Sequence, residues 1–291
     1  MEISSLENQT IAEFVLLGFY DIPELHFLFF IVFTVVYAFI VIGNMLIIVV
    51  VISSQRLHTP MYFFLANLSF LEILYTSTVV PKMLEGFLQV AAISVTGCLT
   101  QFFIFGSLAT AECFLLAVMA YDRFLAICYP LRYLLLMEPR WCMGLVVTAW
   151  LSGFMVDGLV VVLMAQLRFC GSKSIDHFYC DFMPLVVLAC SYPRVAQVTT
   201  FVLSVVFLTV PFGLILTSYF CIIGFLVLKS RSCRIPHKAL STCASHFMVV
   251  CLFYGPVGFT YILPASATSM SEDQTVAVIY SAVTPVLNPL I

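Results

Sequence analysis

Charged residues are scarce in this chain of 291 residues, where they make up 9% of the sequence and hydrophobic residues make up 63%. A soluble domain has roughly 25% charged residues, so the composition excludes an ordinary water-soluble fold and indicates the lipid bilayer as solvent. The first 26 residues contain no Lys or Arg, which excludes the basic start of a cleaved signal peptide. A net charge of −3 gives no support to nucleic-acid binding, and internal repeats are missing.

Catalytic motifs are also missing from the sequence. The chain has no glycine-rich phosphate loop, no HExxH and no GxSxG. His177, Cys180 and Asp181 have side chains that could bind zinc or copper, but Cys180 is better used in a disulfide, so no firm metal site is predicted. We therefore predict that the protein is not an enzyme and needs no cofactor.

Long apolar runs fill most of the chain. A bilayer core needs roughly 20 apolar residues per helix, and lipid leaves backbone groups no water to bond, so each run must be a helix. Prolines within spans five to seven are expected to kink these helices. The sequence predicts seven spans, at 27–52, 61–80, 98–121, 141–164, 198–227, 239–263 and 274–291.

The distribution of Lys and Arg sets the orientation. Eight of these residues follow spans one, three and five, whereas four lie on the opposite side. The positive-inside rule then places the first group in the cytoplasm and the N-terminus outside. We predict an extracellular segment at 1–26 and a membrane domain at 27–291, with Asn8 of Asn8-Gln9-Thr10 as a glycosylation acceptor.

The cysteines divide by the same topology. Four of the 11 fall on the predicted outer side, namely Cys98, Cys170, Cys180 and Cys190. An even number in an oxidising compartment indicates two disulfides, and spacing alone leaves three connectivities open. The other seven lie in spans or on the reducing side, where cysteine acts as a small hydrophobic residue.

Three acidic residues lie inside the predicted spans. Glu112 precedes Arg123 by 11 residues, about 16 Å along a helix, which places it near mid-membrane beside Glu72. With Asn44 and Asn288, the two glutamates could bind a monovalent cation or share a proton, or they could pack as neutral, hydrogen-bonded groups. For Asp157, nearer the outer end of span four, we expect packing rather than ligand contact.

Five sequence segments together resemble the vertebrate olfactory receptors, a family of rhodopsin-like G-protein-coupled receptors. They are "PMYFFLANLSFLEI" (60–73), "MAYDRFLAICYPLRY" (119–133), "SY" (218–219), "KALSTCASH" (238–246) and "PVLNPLI" (285–291). Their order and their places at the span ends make the resemblance specific over essentially the whole chain. The opening "EFVLLGFYDIPELH" (13–26) resembles the subfamily numbered eleven.

The resemblance implies roles for residues already singled out. It implies the disulfides Cys98–Cys180 and Cys170–Cys190, and it places Asn44, Glu72, Glu112 and Asn288 in a polar core. The implied cytoplasmic switch consists of Asp122, Arg123, Tyr219 and His246, in which Arg123 pairs with Asp122 at rest and turns toward Tyr219 when a G protein docks. An implied odorant pocket lies between spans three, five and six, with walls at Phe105, Gly106, Ala109, Thr110, Leu203, Phe207, Val257, Gly258 and Tyr261.

The pocket residues are mostly apolar, with Thr110 and Tyr261 as the chief polar groups. Phe105 stands where amine receptors of the wider superfamily have an aspartate, which argues against a charged amine. We therefore expect a small hydrophobic odorant, and the resemblance implies a stimulatory G protein that raises cyclic AMP at the plasma membrane of olfactory cilia. The expected partners are odorant, heterotrimeric G protein and membrane lipid, with no nucleic acid.

Three departures from the family pattern limit this transfer. Phe124 replaces the usual Tyr after Asp-Arg, and Glu72 stands where Asp is commoner. The sequence ends at Ile291, before the family's next tyrosine and basic helix, so we expect the seventh helix to be truncated. A transporter or channel also remains open, although no inverted repeat supports it, as does a receptor for a metabolite outside the nose.

Overall fold

The computed structural model describes residues 12–18, 23–170, 172–190, 194–230, 237–262, 274 and 276–287, with the backbone alone at 230, 237–242, 259–262 and 280. Six long helices are α1 (His26–Ser53), α2 (Pro60–Leu88), α3 (Val95–Cys128), α4 (Pro139–Met164), α5 (Arg194–Ser230) and α6 (His237–Ile262). The seventh, α7 (Val276–Leu287), contains a π-helical turn at Ile279–Val283. One-turn helices at Tyr133–Leu136 and Phe182–Val187 lie in the connections.

Helix length and composition fit a membrane protein. In the part of the chain that the structure describes, α1 to α5 are each long and apolar enough to cross a membrane, and α6 and α7 add shorter apolar stretches. The prediction of a helical membrane bundle is confirmed. The predicted Asn8 acceptor and Asn288 lie outside the described residues, as does the side chain of Tyr261.

The centre of the bundle is α3, which packs against α2, α4 and α5. Helix α2 also has a buried face. It consists of Phe64, Leu68, Leu71 and Tyr75, which follow one another at the three- and four-residue spacing of one side of a helix. The α3–α4 contact is close enough for Gly153 to lie against the backbone of Ser107. Small residues allow such close approach between membrane helices.

Local sequence signals mark several helix starts. Pro60 and Pro139 occupy the first turns of α2 and α4, where a proline needs no backbone hydrogen bond. The Ser94 hydroxyl caps α3 by accepting a hydrogen bond from the Gly97 amide at 3.0 Å. Pro211 and Pro256 lie inside α5 and α6, since neighbouring groups in a bundle can replace the hydrogen bonds that a proline removes.

Three short strands add a small sheet to the predicted extracellular end of this helical fold. The central strand β1 (Glu13–Leu16) pairs antiparallel with β2 (Ala91–Ser94) and parallel with β3 (Ser174–Ile175). Phe14 is fully buried there and meets the Phe169 ring edge-on at 5.3 Å. The sheet therefore ties the N-terminal segment to the connections that follow α2 and α4.

Helix α2 continues to Leu88, eight residues beyond the predicted span. The added turns are held by Lys82, whose ammonium group contacts the Glu85 carboxylate at 2.8 Å and donates to the Ala92 carbonyl at 2.7 Å. This end lies beyond the predicted apolar run, and the ion pair, the backbone contact and the buried side chains of Met83 and Phe87 stabilise it. Run length alone could not have predicted these turns.

Candidate functional site

A cavity of about 110 Å³ lies between α3, α4, α5 and α6, toward the extracellular end of the bundle. Six predicted pocket residues surround it, namely Phe105, Gly106, Ala109, Thr110, Phe207 and Val257. Leu203 packs instead against the extracellular core cluster, and Gly258 is not among the lining residues. The cavity is thus displaced toward α4 from the predicted pocket.

Most of the lining is aromatic or aliphatic. Phe105 stacks on Tyr75 with ring centroids 4.6 Å apart and contacts Tyr179 at 4.8 Å, so its ring is fixed by α2 on one side and by the extracellular connection on the other. Phe102, Phe182 and Phe253 complete the aromatic wall. Such a surface favours compact apolar ligands.

Asp157 of α4 also lines the cavity. On sequence grounds this residue was expected to pack rather than to contact a ligand. The Thr110 hydroxyl donates a hydrogen bond to its Oδ2 atom at 2.9 Å. Gly153 and Val160 are both buried and lie one helical turn to either side of Asp157, so Asp157 lies on the inward face of α4. This spacing could have placed Asp157 on the inward face of α4 from sequence alone.

Two disulfides fix the extracellular connection over this cavity. The structure pairs Cys98 with Cys180 and Cys170 with Cys190, at Cα separations of 5.4 and 5.6 Å, as the family resemblance implies. Gln101 strengthens the first link, since its Oε1 atom accepts from the Cys180 amide at 3.1 Å. Phe182 is thereby held at the cavity wall.

His177 lies buried in the same connection, against the rings of Phe178 and Tyr179 at 4.6 and 4.4 Å. Burial lowers the pKa of His177 to about 3, so its imidazole is neutral at physiological pH. The Tyr179 amide donates to His177 Nδ1 at 3.4 Å. Within the described residues no group of side chains is arranged to bind a metal, and Cys180 is occupied by its disulfide.

Acidification is expected to destabilise this connection. Because the pKa of His177 rises from about 3 to an ordinary value near 6.5 on unfolding, the unfolded state binds more protons between these pH values. At about pH 5 the free energy of unfolding is therefore lower by about 2 kcal/mol than at neutral pH. The purified receptor and its His177→Gln variant are compared by thermal denaturation at neutral and acidic pH. The Tm of the unchanged receptor should fall more on acidification than the Tm of the variant, and equal decreases would contradict the expectation.

The polar core lies deeper in the bundle. Asn44, Glu72 and Glu112 are buried, and the Glu72 carboxyl interacts electrostatically with Glu112 and faces the Asn44 side chain. Asn44 Nδ2 donates to the carbonyl groups of Ile40 at 3.1 Å and Pro285 at 3.5 Å, which connects α1 to α7. In the described part of the chain neither Glu72 oxygen has a hydrogen-bond partner of standard geometry.

The cytoplasmic end differs from the expected resting arrangement. No ion pair joins Arg123 to Asp122 in the described residues. Instead the Tyr133 hydroxyl donates to Asp122 Oδ1 at 2.7 Å, and burial raises the pKa of Tyr133 so that this hydroxyl keeps its proton. Asp122 and Arg123 nevertheless interact electrostatically.

Arg123 also interacts electrostatically with Tyr219 of α5 and His246 of α6. The Tyr219 hydroxyl lies 2.6 Å from His246 Nδ1 and 3.3 Å from the Cys243 carbonyl oxygen. Three of the four predicted switch residues are therefore neighbours, and the fourth, Asp122, is bonded to the connection after α3. A tyrosine missed by sequence reasoning, Tyr133, completes the cluster.

A seven-helix membrane bundle with a disulfide-tied extracellular cavity, and with a cluster of Arg123, Tyr219 and His246 at the opposite end, defines a receptor of the G-protein-coupled class. The sequence profile of the olfactory receptor family matches residues 33–291. Human olfactory receptor 11A1 is 69% identical over 291 residues, which cover 100% of this chain and 92% of that receptor.

More distant relatives are similar over nearly the same length. Human olfactory receptor 12D3 is 53% identical over 291 residues, covering 98% of this chain and 91% of that receptor. Mouse olfactory receptor 6B9 is 43% identical over 288 residues, again covering 98% and 91%. The chain belongs to the olfactory receptor family, and the match to receptor 11A1 supports subfamily eleven. It is thus a multi-pass plasma-membrane odorant receptor and not an enzyme.

Proposed function

We propose that this receptor binds small, mainly hydrophobic, volatile odorants in the cavity between α3, α4, α5 and α6, and activates a stimulatory G protein that raises cyclic AMP. The observation that supports the ligand class is the cavity lining, which is aromatic and aliphatic apart from a few polar groups. By the volume that one water needs, 110 Å³ accommodates roughly ten non-hydrogen atoms. That size suits a volatile molecule and is too small for a peptide.

Filling the cavity should remove the odorant response. Ala109→Phe places a phenyl ring at the α3 wall, which is expected to reduce odorant-evoked cyclic AMP more than tenfold because the remaining space cannot hold a ligand of the same size. The measurement is the cyclic-AMP dose response of transfected cells to an odorant panel, normalised to surface receptor.

Ile104→Phe is the matched control, since Ile104 lies on the same helix but is exposed. Its response should equal that of the unchanged receptor. A full response in Ala109→Phe at equal surface expression would remove the cavity as the odorant site.

Coupling would occur at the cytoplasmic cluster of Arg123, Tyr219 and His246. A ligand shifts a conformational equilibrium only by its differential affinity for the two states. The Tyr219–His246 contact joins α5 to α6, so a displacement of α6 breaks or forms this bond and changes the surroundings of Arg123. Loss of the odorant response in cells that lack the stimulatory G-protein α subunit would support this coupling, and an unchanged response would exclude it.

The Glu72–Glu112 pair would share a proton or bind a monovalent cation as part of this switch. Two buried carboxyl groups that interact cannot both be ionised without a counter-charge, and the bilayer offers none. Replacing extracellular sodium with a bulky organic cation would separate the alternatives. A cation site predicts a change in basal cyclic AMP, whereas a shared proton predicts none.

A further inference from the structure

The cavity contains an acidic group that the proposed function does not require. Among the described residues that line it, Asp157 carries the only acidic or basic side chain of the Asp, Glu, Lys, Arg and His types. Most of the other lining residues, such as Phe207 and Val160, are apolar, and hydroxyl groups come from Thr110, Thr200 and Ser204. An uncompensated polar group in such surroundings is destabilising, so the position of Asp157 needs a physical reason.

Helix α3 is shaped to accept this carboxyl group. The Thr110 hydroxyl donates to Asp157 Oδ2 at 2.9 Å. One turn earlier, a Cβ atom at residue 106 would overlap Asp157 Oδ1, so only glycine leaves room for the carboxyl in this position. The backbone at Gly106 does not have the positive φ that would otherwise favour glycine. Gly106 thus provides space, and Thr110 provides a hydrogen bond.

The carboxyl group retains capacity for a further hydrogen bond. A carboxylate offers about four acceptor positions, and Thr110 occupies one of them. A hydrocarbon ligand would exclude water from the cavity and leave the remaining positions unmet, which weakens its binding. A ligand with a polar group directed at Asp157 avoids this loss.

The class of that polar group follows from hydrogen-bond chemistry. An alcohol can donate to an ionised carboxylate and can accept from a protonated carboxyl, so it matches Asp157 in either protonation state. A ketone or ether accepts only, and therefore matches the protonated form alone. An ammonium group donates only, and it has a high desolvation cost in an aromatic cavity of this size.

We propose that Asp157, supported by Thr110 and Gly106, selects odorants that are compact apolar alcohols, with the ligand hydroxyl bonded to the Asp157 carboxyl. This inference rests on the proposed function, because it assumes that the odorant occupies this cavity. It adds the ligand's chemical class and assigns specificity to a helix, α4, that the predicted pocket did not include.

The test uses matched probes, namely branched and cyclic alcohols of up to roughly ten non-hydrogen atoms with the corresponding ketones and hydrocarbons of the same skeletons. In cells expressing the full chain, the alcohols should raise cyclic AMP at lower concentrations than their ketones. Asp157→Leu should raise the alcohol concentration for half-maximal response at least tenfold, as expected for one lost hydrogen bond to a charged or polar partner. The response to ketones should change much less.

Asp157→Asn is the second variant, in case leucine lowers surface expression. Its amide keeps the shape and adds an N–H donor, so the preference for alcohols over ketones should narrow. Ala109→Phe separates the two hypotheses. If it abolishes every response while both Asp157 variants keep the original alcohol preference, the inference is wrong and the proposed function stands.

If Ala109→Phe leaves every response intact, the cavity itself is not the odorant site. A receptor that responds to none of the alcohols, or that prefers amines of the same skeleton, would also overturn the inference. A narrowed alcohol preference in Asp157→Asn together with loss of alcohol potency in Asp157→Leu supports it.

Discussion

Arg123→Ala is expected to lower odorant-evoked cyclic AMP at least tenfold while the receptor still reaches the cell surface. Arg123 lies at the cytoplasmic end of α3 and interacts electrostatically with Tyr219 and His246, so its loss removes the charged group that the proposed coupling uses. Folding should survive the change because Asp122, which interacts electrostatically with Arg123, keeps a second partner. Its Oδ1 atom accepts from the Tyr133 hydroxyl at 2.7 Å.

Arg140→Ala is the matched control for this experiment. Arg140 also lies on the cytoplasmic side, in the first turn of α4, but is exposed and has no ion-pair partner among the described residues. Its removal should leave cyclic-AMP output unchanged, as the small contribution of exposed charges implies. Equal output from Arg123→Ala and the unchanged receptor, at equal surface density by antibody labelling, would refute the assigned role.

The membrane helices could be predicted from sequence because lipid restricts the alternatives. A run of about 20 apolar residues can satisfy its backbone in lipid only as a helix, so composition alone located the bundle. Outside the bilayer this restriction ends. The strand Glu13–Leu16 alternates buried and more exposed residues over only four positions, which is too short a pattern to distinguish from a loop.

Part of the candidate site could be predicted from the sequence. The resemblance placed Phe105, Ala109 and Phe207 at a cavity because these positions face inward on helices whose order the family fixes. Asp157 was expected to pack rather than to contact a ligand, although the spacing of Gly153 and Val160 around it indicates an inward face. For an acidic residue on the inward face of a membrane helix, a ligand or a polar partner should be considered before simple packing.

The sequence resemblance pairs Arg123 with Asp122, and in the described residues the two interact electrostatically without forming an ion pair. Tyr133 could not have been assigned to Asp122 from sequence, since their contact depends on how the connection after α3 folds back. Such contacts across a connection carry no periodic signal.

Gly153→Ala is expected to destabilise the receptor although it adds a single methyl group. A Cβ atom at Gly153 would overlap the carbonyl oxygen of Ser107 and lie 3.1 Å from the Ala111 amide nitrogen, and both contacts are with backbone that cannot rotate away. Helices α3 and α4 would have to separate, which typically costs about 1–3 kcal/mol. The same separation would carry Asp157 away from Thr110, so odorant potency should fall with stability.

Gly144→Ala distinguishes this packing effect from a change in helix propensity. Gly144 lies on the same helix, but a Cβ atom there would meet nothing within 4 Å. Alanine favours a helix over glycine by about 1 kcal/mol, so Gly144→Ala should be neutral or stabilising. Thermal denaturation of the purified variants should give a lower Tm for Gly153→Ala and an unchanged or higher Tm for Gly144→Ala. If both variants matched the unchanged receptor, the close α3–α4 contact would not be a determinant of stability, and the placement of Asp157 against Gly106 would lose its structural basis.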